Sequence, residues 1–108
     1  MRALVTTLKF LEITPSTRAQ VEVLASNMAA IDGLLSTCWL RGSGQISLVQ
    51  TFESSAAVDA YLDGPRFAAL GRLPGCQDVF AVHYDVATQL NDLSAFGVPV
   101  AEREHVLV

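Results

Sequence analysis

A chain of 108 residues is the size of one domain, and it can bury roughly 65% of the surface its unfolded form exposes, so its core needs no disulfide or metal staple. Hydrophobic residues make up 51% and charged residues 17%, against about 25% charged in an average soluble chain; this excess of apolar material is expected to be covered by a second copy. The net charge is −4, and the arginines stand singly at Arg2, Arg18, Arg41, Arg66, Arg72 and Arg103, which excludes the clustered basic surface that nucleic-acid binding requires.

The first strand is read over Ala3 to Leu11. Thr and Val are frequent there, and both faces carry apolar side chains, as on a strand covered from both sides. Lys9 and Glu12 interrupt the stretch, so it is no signal peptide, and no run reaches the ~18 apolar residues of a membrane span. Thr14 suits a helix N-cap and Pro15 the first helical position; Val21, Leu24, Met28 and Ile31 then form one stripe, closed by Asp32-Gly33. Leu34 to Arg41 and Gln45 to Phe52 are two strands joined through Gly42-Ser43-Gly44 as a hairpin. Ser54 caps a second helix carrying Val58, Tyr61 and Leu62; Gly64-Pro65 breaks it, and Pro65 to Leu70 forms a further short helical turn. Asp78 to Val86 is the last strand.

The order β-α-β-β-α-β predicts a ferredoxin-like α+β fold: a four-stranded antiparallel sheet with two helices on one face. Residues 1–90 form that domain. Residues 91–108 are a tail, expected either to clasp a partner or to be partly disordered. On the uncovered face Val5, Leu34, Cys38, Leu40, Val49, Val79 and Ala81 are expected, an apolar load whose simplest cover is a homodimer. Cys38 and Cys76 fit no metal or redox spacing; they read as free thiols, buried or partly buried, of a reducing, cytoplasmic compartment.

The chemistry-bearing residues are few. Thr6, Trp39, Gln50 and Tyr84 share the parity assigned to the helix-facing side, where polar groups need partners and, among apolar walls, outline a ligand pocket. Gln50 is the most unusual of them, an amide inside a strand. His83 is placed on the opposite, dimer-facing side with Asp85 two residues on; it reads either as a proton shuttle or as a hydrogen-bonded interface histidine. Tyr61 and Tyr84 read as donors to a developing oxyanion or as core rings with wet tips. Trp39 reads as pocket wall or as packing, and Arg66 as guard of the pocket mouth or as a solvated side chain. No phosphate-binding loop, nucleophile elbow or metal-ligand spacing occurs.

Gly33-Leu34-Leu35-Ser36, Trp39-Leu40-Arg41, Phe52-Glu53-Ser54, Ala57, Tyr61-Leu62, Pro65-Arg66-Phe67 and Tyr84-Asp85-Val86 together resemble the dimeric α+β barrel superfamily, nearest to its antibiotic-biosynthesis-monooxygenase-like proteins. The resemblance spans about residues 3 to 90. It implies two sheets closing a barrel across a dimer, and a pocket in each protomer between sheet and helices. It further implies a cofactor-independent monooxygenase, or a related isomerase, acting on a small aromatic or polyketide-like compound. His83, Tyr61 and Tyr84 are then the catalytic candidates, with Thr6, Trp39, Gln50, Phe52, Arg66 and Phe67 around the substrate. Haem-degrading members of the superfamily use an Asn on the first strand with a Trp and a His on the second helix; Thr6 and Thr7 stand here, and the second helix has neither. No haem, flavin or metal is therefore expected. The alternative is a non-catalytic small-molecule-binding or interaction domain using the same dimer.

Overall fold

A computed structural model describes residues 1–87 of the chain. The expected tail, 91–108, and the domain boundary at residue 90 lie outside the described residues.

The strands are β1 (Arg2–Phe10), β2 (Leu34–Gly42), β3 (Gln45–Phe52) and β4 (Cys76–Asp85). They form one sheet in the order β2-β3-β1-β4, with every neighbouring pair antiparallel. The helices are α1 (Pro15–Ser26), α2 (Ser55–Leu62) and α3 (Pro65–Gly71), with a one-turn 3₁₀ segment at Met28–Ala30 between α1 and β2. This is the ferredoxin-like order, with the turn after Pro65 completed as a third helix.

The helix starts follow from local chemistry. Thr14 accepts from the Thr17 N–H at 3.2 Å while Thr17 Oγ1 accepts from the Thr14 N–H at 3.2 Å, a reciprocal capping box with Pro15 behind it. Thr17 Oγ1 also donates to the Pro74 carbonyl at 2.9 Å, tying the start of α1 to the loop before β4. The Ser54 hydroxyl accepts from the Ala57 N–H at 3.1 Å and opens α2. Gly42 pairs with Gln45, so the hairpin loop is two residues, Ser43-Gly44, and not three; Gly44 takes the positive φ that this turn requires.

Strand alternation directs Leu4, Thr6, Leu8 and Phe10 of β1, and Ile46, Leu48, Gln50 and Phe52 of β3, toward the helices, where all are buried. Met28, Ile31, Val58, Tyr61, Leu70 and Leu73 close the core from above.

Two irregularities change which residues face the core. Leu34 stands opposite Phe52 and Ser36 opposite Thr51, leaving Leu35 as an extra residue, so Leu34 packs on the core and not on the open face. Cys76 stands opposite Phe10 and Asp78 opposite Lys9, leaving Gln77 as the extra residue. Simple alternation from Cys76 would turn Tyr84 toward the helices. The bulge resets it: Val79, Ala81, His83 and Asp85 lie opposite Leu8, Thr6, Leu4 and Arg2 on the helix side, while Phe80, Val82 and Tyr84 lie on the open side. The expected faces of Val79, Ala81, His83 and Tyr84 are therefore reversed. Val5, Cys38, Leu40 and Val49 do occupy the open face, and Cys38 is exposed there, not buried. No helix among the described residues is long and apolar enough to cross a membrane.

Candidate functional site

The register aligns two rows of side chains under the helices. One row reads Trp39, Leu48, Thr6, Ala81; the next reads Thr37, Gln50, Leu4, His83. Thr6 and Gln50 are fully buried. Tyr61 comes down from α2 and is 5% exposed. Its ring packs against Phe52 at 5.3 Å between centroids and edge-on against Phe67 of α3 at 5.6 Å.

Among the described residues four buried polar atoms meet no hydrogen-bond partner: Thr6 Oγ1, Thr37 Oγ1, Gln50 Oε1 and the Tyr61 hydroxyl. They come from β1, β2, β3 and α2. An unpaired buried polar group costs about 1–3 kcal/mol, and native interiors satisfy nearly all of theirs. A few polar groups among apolar walls are the usual lining of a ligand pocket. The Gln50 amide nitrogen donates to a soft partner, the Met28 sulfur at 3.6 Å. Burial pushes the Tyr61 hydroxyl above its ordinary value, partly offset by the nearby Gln50 side chain. No hydrogen bond of ordinary geometry joins the two. Tyr61 therefore stays a protonated donor across the neutral range.

Arg66 and Pro65 line two neighbouring surface grooves. One, of about 420 Å³, lies between α1 and α3 and has Met28 in its wall. The other, of about 160 Å³, has Tyr61 in its wall. Arg66 is exposed at the rim of both grooves. Trp39 is half-buried on the core and lines a third groove of about 250 Å³, with Arg18 and Arg41 beside it.

His83 shares the row of Thr37 and Gln50 but sits at its far end, on edge strand β4, and is half-buried. Its partner is Arg2, which no sequence pattern had singled out. The guanidinium reaches His83 Nδ1 through Nε at 3.2 Å and Nη2 at 2.6 Å, and Nη1 pairs with Asp85. Arginine only donates, so Nδ1 accepts and the ring carries its proton on Nε2. The Arg2 contacts hold the Asp85 carboxyl below the usual carboxylate range. Asp85 and His83 thus share the one Arg2 guanidinium.

The structure therefore brings Thr6, Gln50, Phe52, Tyr61 and Phe67 together, with Arg66 at the rim and Trp39 and His83 at opposite edges. It takes Tyr84 away: this ring is 55% exposed on the open face. Thr37, Met28 and Arg2 were missed. Thr37 shares parity with Trp39 two residues on, and Arg2 faces Asp85 once β1 and β4 are paired end to end. Met28 carried no signal beyond its place in an apolar stripe. Among the described residues no group of three or more His, Cys, Asp or Glu is placed to hold a metal ion.

No family model matches the sequence, and no curated protein matches it. Solved structures do match. A crystal structure of an antibiotic biosynthesis monooxygenase superposes with a TM-score of 0.67 at 16% identity, covering 81% of this chain and 99% of the other. SnoaB from Streptomyces nogalater, a cofactor-independent oxygenase solved as a point variant, superposes with a TM-score of 0.64 at 12% identity over 80% and 92%. A dimeric ferredoxin-like protein of unknown function from Thermobifida fusca gives 0.61 at 21% identity over 79% and 90%. Many of the matching structures are antibiotic biosynthesis monooxygenases. At such identities the likeness establishes one thing, the ferredoxin-like α+β fold that this chain shares with them.

Proposed function

We propose that the chain is a cofactor-independent monooxygenase, or a related isomerase, whose substrate is a small planar aromatic or polyketide-like compound bound between sheet and helices. The observation that carries this is the presence of four buried polar atoms without a partner among the described residues, from Thr6, Thr37, Gln50 and Tyr61, in a mostly apolar layer. The oxygenase named among the fold neighbours supports the same reading.

The chemistry asks little of a protein. An electron-rich phenolate or enolate reacts with O2 itself. When a ring CH2 becomes a carbonyl, one oxygen atom enters the substrate, the other leaves as water, and the substrate supplies all four electrons. The site must exclude water, orient the ring and stabilise the oxyanion as it forms. The protonated Tyr61 hydroxyl and the two threonine hydroxyls are donors for that oxyanion. Gln50 Oε1 accepts from a substrate hydroxyl, and Phe52 and Phe67 hold the ring plane. Arg66 attracts an acidic substituent at the rim. His83 acts as base only once Arg2 releases Nδ1; while Arg2 holds it, Nε2–H is a further donor. That restraint favours a second reading, a non-catalytic domain that binds the same planar ligands in the same dimer.

Oxygen uptake with a hydroxyanthrone, beside binding of the unreactive phenol 2-naphthol, tests both. Gln50→Leu is expected to be neutral or stabilising for the fold, since an imperfectly paired buried amide is replaced by an apolar side chain. The same change is expected to weaken 2-naphthol by about 1–3 kcal/mol and to remove oxygen uptake. Binding without uptake removes the oxygenase and leaves the isomerase and the binding domain; unfolding of the variant, or unchanged binding, refutes all three.

A further inference from the structure

We propose that Met28 is the gate of this site: its thioether occupies the place of a ligand oxygen on Gln50, and the site opens to a neutral planar phenol or enol when Met28 swings outward into the groove between α1 and α3. The proposal rests on the pocket reading above and adds its entrance, its closed state and the charge of the ligand form that enters.

Met28 is in two places at once. It is 7% exposed and belongs to the core, where its sulfur takes the Gln50 amide N–H at 3.6 Å. It also forms part of the wall of the groove of about 420 Å³, with Leu24, Asn27, Pro65, Arg66 and Ala69. Its side chain therefore touches both that groove and the amide.

Its chemistry suits a removable plug. A thioether is a weak acceptor, so exchanging N–H···S for N–H···O with an incoming oxygen is favourable. Methionine is unbranched with three rotatable bonds and repacks with little strain. Its backbone is the first residue of the 3₁₀ turn Met28–Ala30, just past the end of α1 at Ser26, where no long helix must move with it. The groove already offers volume for the displaced side chain.

The exposed polar atoms also select the ligand's charge. Met28 touches the Gln50 amide, and the other unpaired buried atoms are two aliphatic hydroxyls and a phenol. Among the described residues the buried polar side chains are Thr6, Thr17 and Gln50, none of them charged. A ligand entering as an anion loses its hydration without gaining a buried counter-charge, whereas a neutral phenol or enol gains up to four hydrogen bonds at no such cost. Entry of the neutral form, with proton loss only after binding, follows from that composition.

The test uses the whole chain with methyl-labelled methionine, 2-naphthol as the probe and a gadolinium chelate as relaxation agent. The sequence has two methionines, and Met1 is 54% exposed, so it serves as the internal standard. On saturation with 2-naphthol the Met28 methyl is expected to rise from near-complete protection to a relaxation comparable with Met1. Met28→Ala is expected to bind 2-naphthol about tenfold more tightly, because the closed state no longer competes. Binding that is lost in Gln50→Leu while the Met28 methyl stays protected overturns the gate and leaves the pocket standing. If the wild type fails to bind and Met28→Ala binds, the gate is supported in its extreme form. If neither binds, or if binding ignores Gln50→Leu, the pocket reading fails and the gate falls with it. The methyl measurement needs no variant, so a misfolded Met28→Ala does not blunt it.

Discussion

On the helix-facing side of the sheet Leu4, Leu8, Leu48 and Phe52 are fully buried, while on the other side Leu40, Phe80, Val82 and Tyr84 keep between 50% and 55% of their surface exposed. The same four strands make both faces, residue by alternate residue. Each face lacks something different. The covered side is buried, and among the described residues it holds four polar atoms without a hydrogen-bond partner. The open side is wet but carries large apolar side chains in adjacent register, Val5 beside Val49 and Val82, and Leu40 in the row of Phe80. Apolar surface seeks apolar surface, and orphaned dipoles seek oxygen or nitrogen. The two deficits therefore call for different partners, a second copy on one side and a small polar-rimmed ring on the other. A dimeric protein of the same fold among the structural neighbours fits the first.

The comparison breaks first if the open face is not an interface. Light scattering at micromolar concentration is expected to give twice the 11.6 kDa chain mass. Val82→Asp places a carboxylate beside Val5 on that face and is expected to raise the dimer dissociation constant at least about 100-fold. A wild type that runs as a monomer removes the case for the second copy.

The next effect separates the faces within one protomer. In the Val82→Asp background, Leu48→Ala is expected to cost about 2–5 kcal/mol by urea unfolding, as a fully buried leucine should. Leu40→Ala in the same background is expected to stay within about 0.5 kcal/mol. Equal losses would mean that the open face is covered within the protomer.

Alkaline titration gives a smaller signal from the covered side. Tyr61 has a raised folded value, so the stability it confers is complete up to pH 10, the ordinary tyrosine value, and is lost as pH rises through the folded one. Tyr61→Phe is expected to remove the late component of phenolate absorbance above pH 10. Loss of a component at the ordinary value instead would place the hydroxyl in water.

The smallest effect is acidic. Asp85 has a lowered folded value, so its pairing with Arg2 stabilises above the ordinary 3.8 and is lost as pH falls through the folded one. Asp85 is exposed, so screening keeps the effect small. Stability curves of wild type and Asp85→Asn are expected to differ at pH 7 and to converge in acid. Curves that stay parallel would detach Arg2 from Asp85.

Much of the fold was legible because it rests on local chemistry. The Thr14-Pro15 start, the Ser54 cap and the Gly44 turn each depend on a few adjacent residues and stand where the sequence predicts them. The site was legible in part. Gln50 was conspicuous because an amide inside a strand needs a reason, and Thr6 followed from parity along β1. What failed depended on register. His83 and Tyr84 are neighbours on opposite faces, and a single uncounted residue exchanges them. Arg2 and Met28 became relevant only through partners 81 and 22 positions away, distances over which a sequence carries no pairing signal.

The extra residue at Gln77 bears on descent as well as on shape. Cys76 opposite Phe10 and Asp78 opposite Lys9 are already consecutive pairings if Gln77 is taken out. A lineage that loses this residue keeps every later side chain of β4 on its present side. Losing Ala81 instead exchanges the faces on one side of the gap, and the pocket edge trades an imidazole for a phenol unless the register shifts back. Insertions and deletions are thus tolerated at one position of this strand and punished a few positions later. Chains of this fold aligned by residue count alone, without a gap allowed at that point, will match pocket residues of one to interface residues of another.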